Sequence, residues 1–366
     1  MNMDFQYFVP VHIISGENCV RDHGEIIKQF GRQALIVTGK SSAKNGALDD
    51  MVFALKQNGQ EYAVYDSVPN NPTVKSVEDG AALARRIGAD FIVAIGGGSP
   101  MDAAKAISML ARQEAKEGIF AHKITDDVLP MIHVPTTAGT GSEVTPYSII
   151  TNDEKQTKTS IAAPSLFPRV AFLDGKYMLG LSQSTTVNTA LDAISHAIEG
   201  MLSVRAGAMS DIFAKESLHV IFSEFEALRS GKYTLESRQN LLYGATLAGM
   251  VIANTGTSPV HGMGYSLTYF HGVPHGRANG LLLPEFLKLC QQKKPERTQE
   301  IFAALGMNAD SFECAVHDLL GEREKYDDAI LRDYAHRASL NKNVKNCQAY
   351  FTEEDLYAVL KSSVGR

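Results

Sequence analysis

The chain has 366 residues, 44% of them apolar and 21% charged, which is enough for two packed domains and too apolar for a disordered protein. A formal net charge of −6 leaves no basic excess with which to hold nucleic acid or an anionic membrane, so neither is an expected partner. No run approaches the roughly eighteen apolar residues of a membrane span. The four cysteines, Cys19, Cys290, Cys314 and Cys347, lack C-x-x-C spacing, which argues against a disulfide framework or a thiolate metal site. The opening stretch "MNMDFQYFVPVHIISG" has neither the basic start nor the long apolar core of a signal peptide, and the expected location is cytoplasmic.

Up to about Asp174, short apolar runs recur between helical patterns: "ALIVTG", "EYAVYDSV", "DFIVAIGGGS", "MIHVPTT" and "RVAFLD". Strands alternating with helices such as "MVFALKQNG" and "KSVEDGAALARRIGA", the second closing on Gly88, predict an α/β domain built on a parallel sheet. Beyond about Ser182 the pattern is helical throughout, from "TALDAISHAIEGMLSV" to the charged C-terminal stretch after Lys294. The expected organisation is an α/β domain over residues 1–181 and an all-helical domain over 182–366.

In "FIVAIGGGSPMDAAKAI" a strand passes through three glycines into a helix. Bare backbone and a helix N-terminus suit a pyrophosphate. The same residues also make a complete helix start without any ligand, with Ser99 as N-cap, Pro100 at the first helical position and Asp102 three after the cap. The spacing is not G-x-G-x-x-G. A second turn, "MIHVPTTAGTGSEVTPYSII", sets Thr136, Thr137, Thr140 and Ser142 at the carboxyl end of the next strand, where open parallel sheets bind ligands. Two such turns favour a nucleotide over a pair of polar surface loops.

In "LDAISHAIEG" Asp192 and His196 are four residues apart on a helix that is otherwise apolar, with Glu199 close by, so both polar groups project from one side. "SPVHGMGYSLTYFHGVPHGRANG" adds His261, His271 and His275, and its glycines and Pro274 are expected to interrupt the helix and fold the later histidines over the first. One carboxylate and three imidazoles, Asp192, His196, His261 and His275, suit Fe(II) or Zn(II) and leave a coordination position open. A cation would compensate the buried carboxylate.

"GGGSPMD", "PTTAGTGSE", "DAISHAIEG" and "HGVPHG", in this order and at these separations, resemble the iron-containing (group III) alcohol dehydrogenases of the dehydroquinate synthase-like superfamily. The likeness spans roughly Gly39 to Pro284. It implies a dinucleotide-binding N-terminal domain, a helical metal-binding C-terminal domain, and hydride transfer between NAD(P) and a small alcohol or its aldehyde or ketone, the metal acting as Lewis acid on the substrate oxygen. Relatives commonly form dimers or larger assemblies, so a homodimer is compatible with the resemblance. By position, Asp192, His196, His261 and His275 match the metal ligands, and Gly97, Gly98, Ser99 and Asp102 match the pyrophosphate turn. Thr136, Thr137, Thr140 and Ser142 match the loop near the nicotinamide, and Lys158 matches a cofactor-contacting lysine.

Three positions depart from that pattern. Tyr265 stands where the family has a second histidine, often given a proton-relay role, and His271 is the expected substitute. "LDGKYMLGLS" replaces the usual Asp-Pro pattern after the last strand. Gly39, followed by Lys40, Ser41, Ser42 and Lys44, stands where NAD-preferring relatives often carry Asp. Without an acid to repel a 2′-phosphate, NADP(H) is favoured over NAD(H). The alternatives are a glycerol or polyol dehydrogenase, a dehydroquinate synthase-like lyase or cyclase, whose phosphorylated substrate would want more cations than Arg277, and a non-catalytic metal- or nucleotide-binding protein.

Overall fold

The computed structural model describes residues 4–40 and 44–366. Its strands are β1 (His12–Ser15), β2 (Gln33–Thr38), β3 (Glu61–Tyr65), β4 (Phe91–Gly96), β5 (Met131–Pro135), β6 (Tyr147–Asn152), β7 (Thr157–Ala162) and β8 (Val170–Leu173). The helices of this half are α1 (Cys19–Asp22), α2 (Ala47–Gln57), α3 (Val74–Ile87) and α4 (Gly98–Arg112). The second half carries α5 (Gln183–Leu202), α6 (Ala208–Ser223), α7 (Phe225–Ser230), α8 (Leu235–Thr255), α9 (Pro259–His271) and α10 (His275–Lys293). It closes with α11 (Pro295–Leu305), α12 (Ala309–Leu320), α13 (Asp328–Ser339) and α14 (Glu353–Val364).

Six strands form one parallel sheet in the order β1-β8-β5-β4-β2-β3. Every residue of β4 and β5 is buried, as expected of central parallel strands covered on both faces. Alternation then divides each strand between two cores. Leu35, Val37, Ile92 and Ala94 pack with α3 and α4, whereas Ala34, Ile36, Phe91, Val93 and Ile95 pack with α2. Thr73 and Ser76 form a capping box at the start of α3, and Gly88 ends it in the left-handed conformation, the closure its position predicts. The chain order reverses between β2 and β4, since β3 lies beyond β2 on one side and β5 beyond β4 on the other. Ligands of open parallel sheets bind at the carboxyl ends on either side of such a reversal.

Two features escaped the sequence reading of this half. β1 is a short edge strand, and β6 and β7 form a separate antiparallel hairpin whose partly buried, alternating residues carry no long apolar run.

In the helical half α5 is central. Every residue from Ala190 to Leu202 is buried, so the helix is packed on all sides and its polar residues sit in the protein interior. The chain divides into two compact units, and the division departs from a single cut after residue 181. Residues 4–8 group with the helices, where Tyr7 stacks on Phe213 and donates to the Met250 carbonyl. Thr234–Leu242 group with the sheet, where the Gln239 side chain accepts from the Gly175 amide at 2.7 Å.

A buried ammonium organises the segment after β5. Lys105 of α4 is inaccessible, and its Nζ donates to the Ser142 carbonyl (2.8 Å), the Ser142 hydroxyl (2.7 Å) and the Tyr147 carbonyl (2.8 Å). Burial pulls its pKa down to about 8 against the attraction of Asp102 and Glu143. Removing the cation would strand these acceptors and the Asp102 carboxylate. Lys105→Met is therefore expected to lower unfolding stability by about 3 kcal/mol or more, measured by urea denaturation, and a loss below ~1 kcal/mol would contradict this role.

Candidate metal and nucleotide sites

The two glycine- and threonine-rich turns leave adjacent strands of the sheet unit. Gly96 of β4 pairs with Pro135 of β5, and the Thr136 amide donates to the Gly96 carbonyl at 2.9 Å. The turns also press on each other: a Cβ on Gly97 would meet the Thr137 hydroxyl at 2.9 Å, and one on Gly98 the Thr140 methyl at 2.7 Å. These glycines are needed for loop packing as well as for access to backbone.

The start of α4 differs from the expected one. Gly97, not Ser99, is the N-cap, with no side-chain cap, and Ser99 Oγ instead accepts from the Asn71 amide. First-turn amides without a side-chain cap, at the positive end of a 15-residue helix, are what a pyrophosphate site requires. Asp102 and Ser142 are bonded to each other. The Ser142 hydroxyl donates to Asp102 Oδ1 at 2.6 Å, and Asp102 Oδ2 accepts from the Ile149 amide at 3.1 Å, so both side chains tie α4 to the neighbouring segment. Burial raises the Asp102 carboxyl pKa, opposed by Lys105, Ser142 and Ile149, with a smaller effect from Lys158. Lys158 itself lies on β7, opposite Thr151. Gly39 follows β2 with Pro100 and the Val68 carbonyl beside it, and a Cβ there would make only ordinary contacts at 3.5 Å or more. Lys40 is exposed, and Ser41 lies outside the described residues.

In the helical unit Asp192, His261 and His275 each offer a ligand atom within 4.8 Å of the others, and His196 adjoins them through Asp192 and His261. Asp192 and His196 share one side of α5, His261 comes from the first turn of α9, and His275 opens α10. The His196 and His261 Nε2 atoms are 3.0 Å apart. Asp192 Oδ1 lies 3.6 Å from His261 Nε2, 3.7 Å from His275 Nε2 and 3.9 Å from His196 Nε2. Ligand bonds of about 2.0–2.2 Å to one ion produce donor separations of this size. Burial alone would raise the Asp192 carboxyl pKa, but His196, His275 and His261 outweigh it and hold the group well below the ordinary carboxylate range. Burial opposes protonation of His261, yet Glu199 and Asp192 push it up to about 9 in the metal-free protein. Two imidazole nitrogens in contact beside a carboxylate, all but sealed from water, fit a divalent cation better than they fit one another.

The α5–α10 packing explains the convergence. A Cβ on Gly276 would overlap the Asn188 carbonyl oxygen, and one on Gly280 would meet Leu191 at 2.8 Å. Glycines at i and i+4 thus let α10 lie directly on α5, bringing His275 to Asp192. Asn279, on the same face as His275, donates from Nδ2 to Asp192 Oδ1 at 2.9 Å. Sequence reasoning missed Asn279, although its spacing from His275 marks the face.

Of the four expected ligands His275 is the one open to solvent: its side chain is 25% exposed, against 3–5% for the other three. The Tyr265 ring stacks on it, with centroids 5.7 Å apart. His271 is not part of this cluster. Because α9 runs unbroken through Gly262 and Gly264 and ends at Gly272, His271 sits ten residues from His261, roughly 15 Å along the axis. There its Nε2 lies 2.7 Å from the Tyr334 hydroxyl. The expected interruption within "HGMG" fails because Gly264 has a packing use inside the helix: a Cβ there would meet Asn279 Oδ1 at 2.5 Å.

The sheet unit with its two turns and the cluster of acid and imidazoles are parts that a metal-dependent, nucleotide-linked enzyme needs. The comparisons with known proteins make this specific. The family described as "Iron-containing alcohol dehydrogenase" matches residues 10–175, and "Fe-containing alcohol dehydrogenase family, C-terminal" matches residues 186–360. The chain is 34% identical over 309 residues to the 1,3-propanediol dehydrogenase of Klebsiella pneumoniae, covering 83% of this chain and 80% of that one. The crystal structure of an iron-containing alcohol dehydrogenase from Thermotoga maritima matches with TM-score 0.91 and 35% identity, over 98% of this chain and 99% of that one. A sulfoacetaldehyde reductase from Bifidobacterium kashiwanohense, solved in complex with NAD+, matches with TM-score 0.89 and 28% identity over 99% of each chain. The chain belongs to the iron-containing alcohol dehydrogenase family, and it is a metal-dependent oxidoreductase that interconverts alcohols and aldehydes with a nicotinamide dinucleotide. None of the helices among the described residues is long and apolar enough to cross a membrane.

Gly276→Ala should force α10 away from α5. It is expected to cost about 1–3 kcal/mol of stability and to weaken divalent-metal binding of the folded protein by about tenfold or more in a calorimetric titration. Unchanged metal affinity would contradict the role given to this helix contact.

Proposed function

We propose that the protein interconverts a small alcohol and its aldehyde or ketone with NADP(H), using a divalent ion, Fe(II) or Zn(II), held by Asp192, His196, His261 and His275. The observation that carries this reading is the convergence of three imidazole nitrogens on Asp192 Oδ1 within 3.9 Å. The reaction balances as alcohol plus NADP+ giving the carbonyl compound, NADPH and a proton. When bound, the cation supplies Lewis acidity toward the substrate oxygen and the dinucleotide takes up or returns the hydride.

The chain's own residues do the rest. The first-turn amides of α4 at Gly98 and Ser99 receive the pyrophosphate, and Thr136, Thr137 and Thr140 line the same carboxyl edge of the sheet. Lys158 is the cation we assign to the cofactor by its position in the family pattern. Gly39 and exposed Lys40 leave the end of β2 without a carboxylate, which supports a 2′-phosphate over a bare ribose. Tyr265, stacked on the solvent-open ligand His275, is the residue placed to pass a proton through Oη.

The lyase reading loses its one cation. Arg277 is spent on the segment after α12, with Nε and an NH2 nitrogen on Glu324 at 2.7 and 3.1 Å and the other nitrogen on the Leu320 carbonyl at 2.8 Å. The polyol reading differs only in substrate and belongs to the same assay. All four cysteines are free, which supports a cytoplasmic location, and a homodimer is the assembly we favour.

The test is turnover of short-chain aldehydes and of glycerol by chelator-stripped, folded protein, before and after addition of Fe(II) or Zn(II), with NADPH and NADH in parallel. Activity should vanish on stripping and return with metal, and NADPH should be preferred by roughly tenfold, about 1.4 kcal/mol. Undiminished turnover without metal would overturn the metal's role, and a strong NADH preference would overturn the choice of dinucleotide.

A further inference from the structure

Glu199 is a fully buried carboxylate that the reading above leaves without a task. It lies on α5, seven residues after Asp192 and three after His196, and all its hydrogen-bonding partners belong to the start of α9. Oε1 accepts from the backbone amides of Ser258 (3.0 Å), Val260 (2.8 Å) and His261 (3.4 Å). Oε2 lies in hydrogen-bond contact with His261 Nδ1. The local capping residue does not compete, for the Ser258 side chain makes no cap bond and its hydroxyl has no hydrogen-bond partner among the described residues. Pro259 brings no N–H of its own. A side chain from a distant helix therefore caps α9 and grips the first-turn histidine with its other oxygen.

The donor and acceptor balance is strict. The backbone amides at Oε1 are donors and an ionised carboxylate is acceptor-only, so the ring nitrogen against Oε2 must bring the proton. His261 must then keep its proton on Nδ1, which leaves the Nε2 lone pair facing His196 Nε2 at 3.0 Å and Asp192 Oδ1 at 3.6 Å. Imidazoles that ligate metals are oriented in this way by a carboxylate on the opposite ring nitrogen.

We propose that Glu199 is a positioning residue for the metal centre: it fixes both the Nδ1–H tautomer and the ring orientation of His261 while locking α9 against α5. The proposal rests on His261 being a metal ligand. Glutamine at this position cannot reproduce the pattern. If its oxygen caps α9, its NH2 faces His261 Nδ1 and drives the proton to Nε2, the atom that must donate to the metal. If the amide is turned round, its NH2 abuts backbone N–H groups.

The experiment uses histidine-15N-labelled full-length protein, with His261→Asn identifying the His261 signals. Long-range 1H–15N spectra of the metal-free proteins, recorded at about pH 10 so that the His261 ring is neutral, should show wild type protonated on Nδ1 alone and Glu199→Gln on Nε2. Titration with Co(II), followed by its absorption bands, should show the variant binding about 10–100-fold more weakly than wild type. A wild-type His261 protonated on Nε2 overturns the proposal, as does a folded Glu199→Gln with wild-type tautomer and Co(II) affinity. If Glu199→Gln fails to fold, the wild-type tautomer alone decides. Failure of the metal reading looks different, because wild type would then bind no Co(II) whatever the tautomer of His261.

Discussion

Direct backbone contact between α5 and α10 is the constraint on which the metal centre depends. Gly276 sits against the Asn188 carbonyl, backbone on backbone, and Gly280 makes room for the Leu191 side chain, so the two helices pack closely at both glycines. That approach brings the Asp192 carboxylate within 3.7 Å of His275 Nε2 and within 2.9 Å of the Asn279 amide. The cost is a core of charged and polar groups with almost no access to water, which is sustainable only where each group has a partner or a cation balances the set.

The sheet unit shows the same economy with a different device. There the buried cation is part of the chain. Lys105 gathers Ser142 and Tyr147 and approaches Asp102 to 3.9 Å, fixing the segment after β5 against α4. This arrangement engages the polar groups of Asp102 and Ser142, while the amides of the α4 first turn carry no side-chain cap. The carboxyl edge of β4 and β5 is thus braced by side chains within the sheet unit.

The parts legible in the sequence were those written in local pattern. Apolar runs with no polar alternation marked β4 and β5, Gly88 marked the end of α3, and i, i+4 spacing marked Asp192 and His196. Ordered motifs marked the family, which the comparisons support. The illegible parts depend on which distant residues meet. Ser99 has every local qualification as an N-cap, but α4 begins one residue before it, on Gly98, and Asn71 takes the hydroxyl. Gly262 and Gly264 looked like helix breakers, yet Gly264 makes room for Asn279, a side chain fifteen residues away in sequence. His271 was credited with reaching the centre only because the unbroken length of α9 was not foreseen. Lys105 reads as an ordinary helix lysine until its four oxygen neighbours, the Thr145 hydroxyl at 3.3 Å among them, are in view.

X-ray absorption at the metal edge of Fe- or Zn-loaded protein examines the centre most directly. The account predicts a first shell of nitrogen and oxygen at about 2.0–2.2 Å with the outer-shell scattering of three imidazoles, and no sulfur near about 2.3 Å. A sulfur shell, or a metal bearing one imidazole or none, would contradict it.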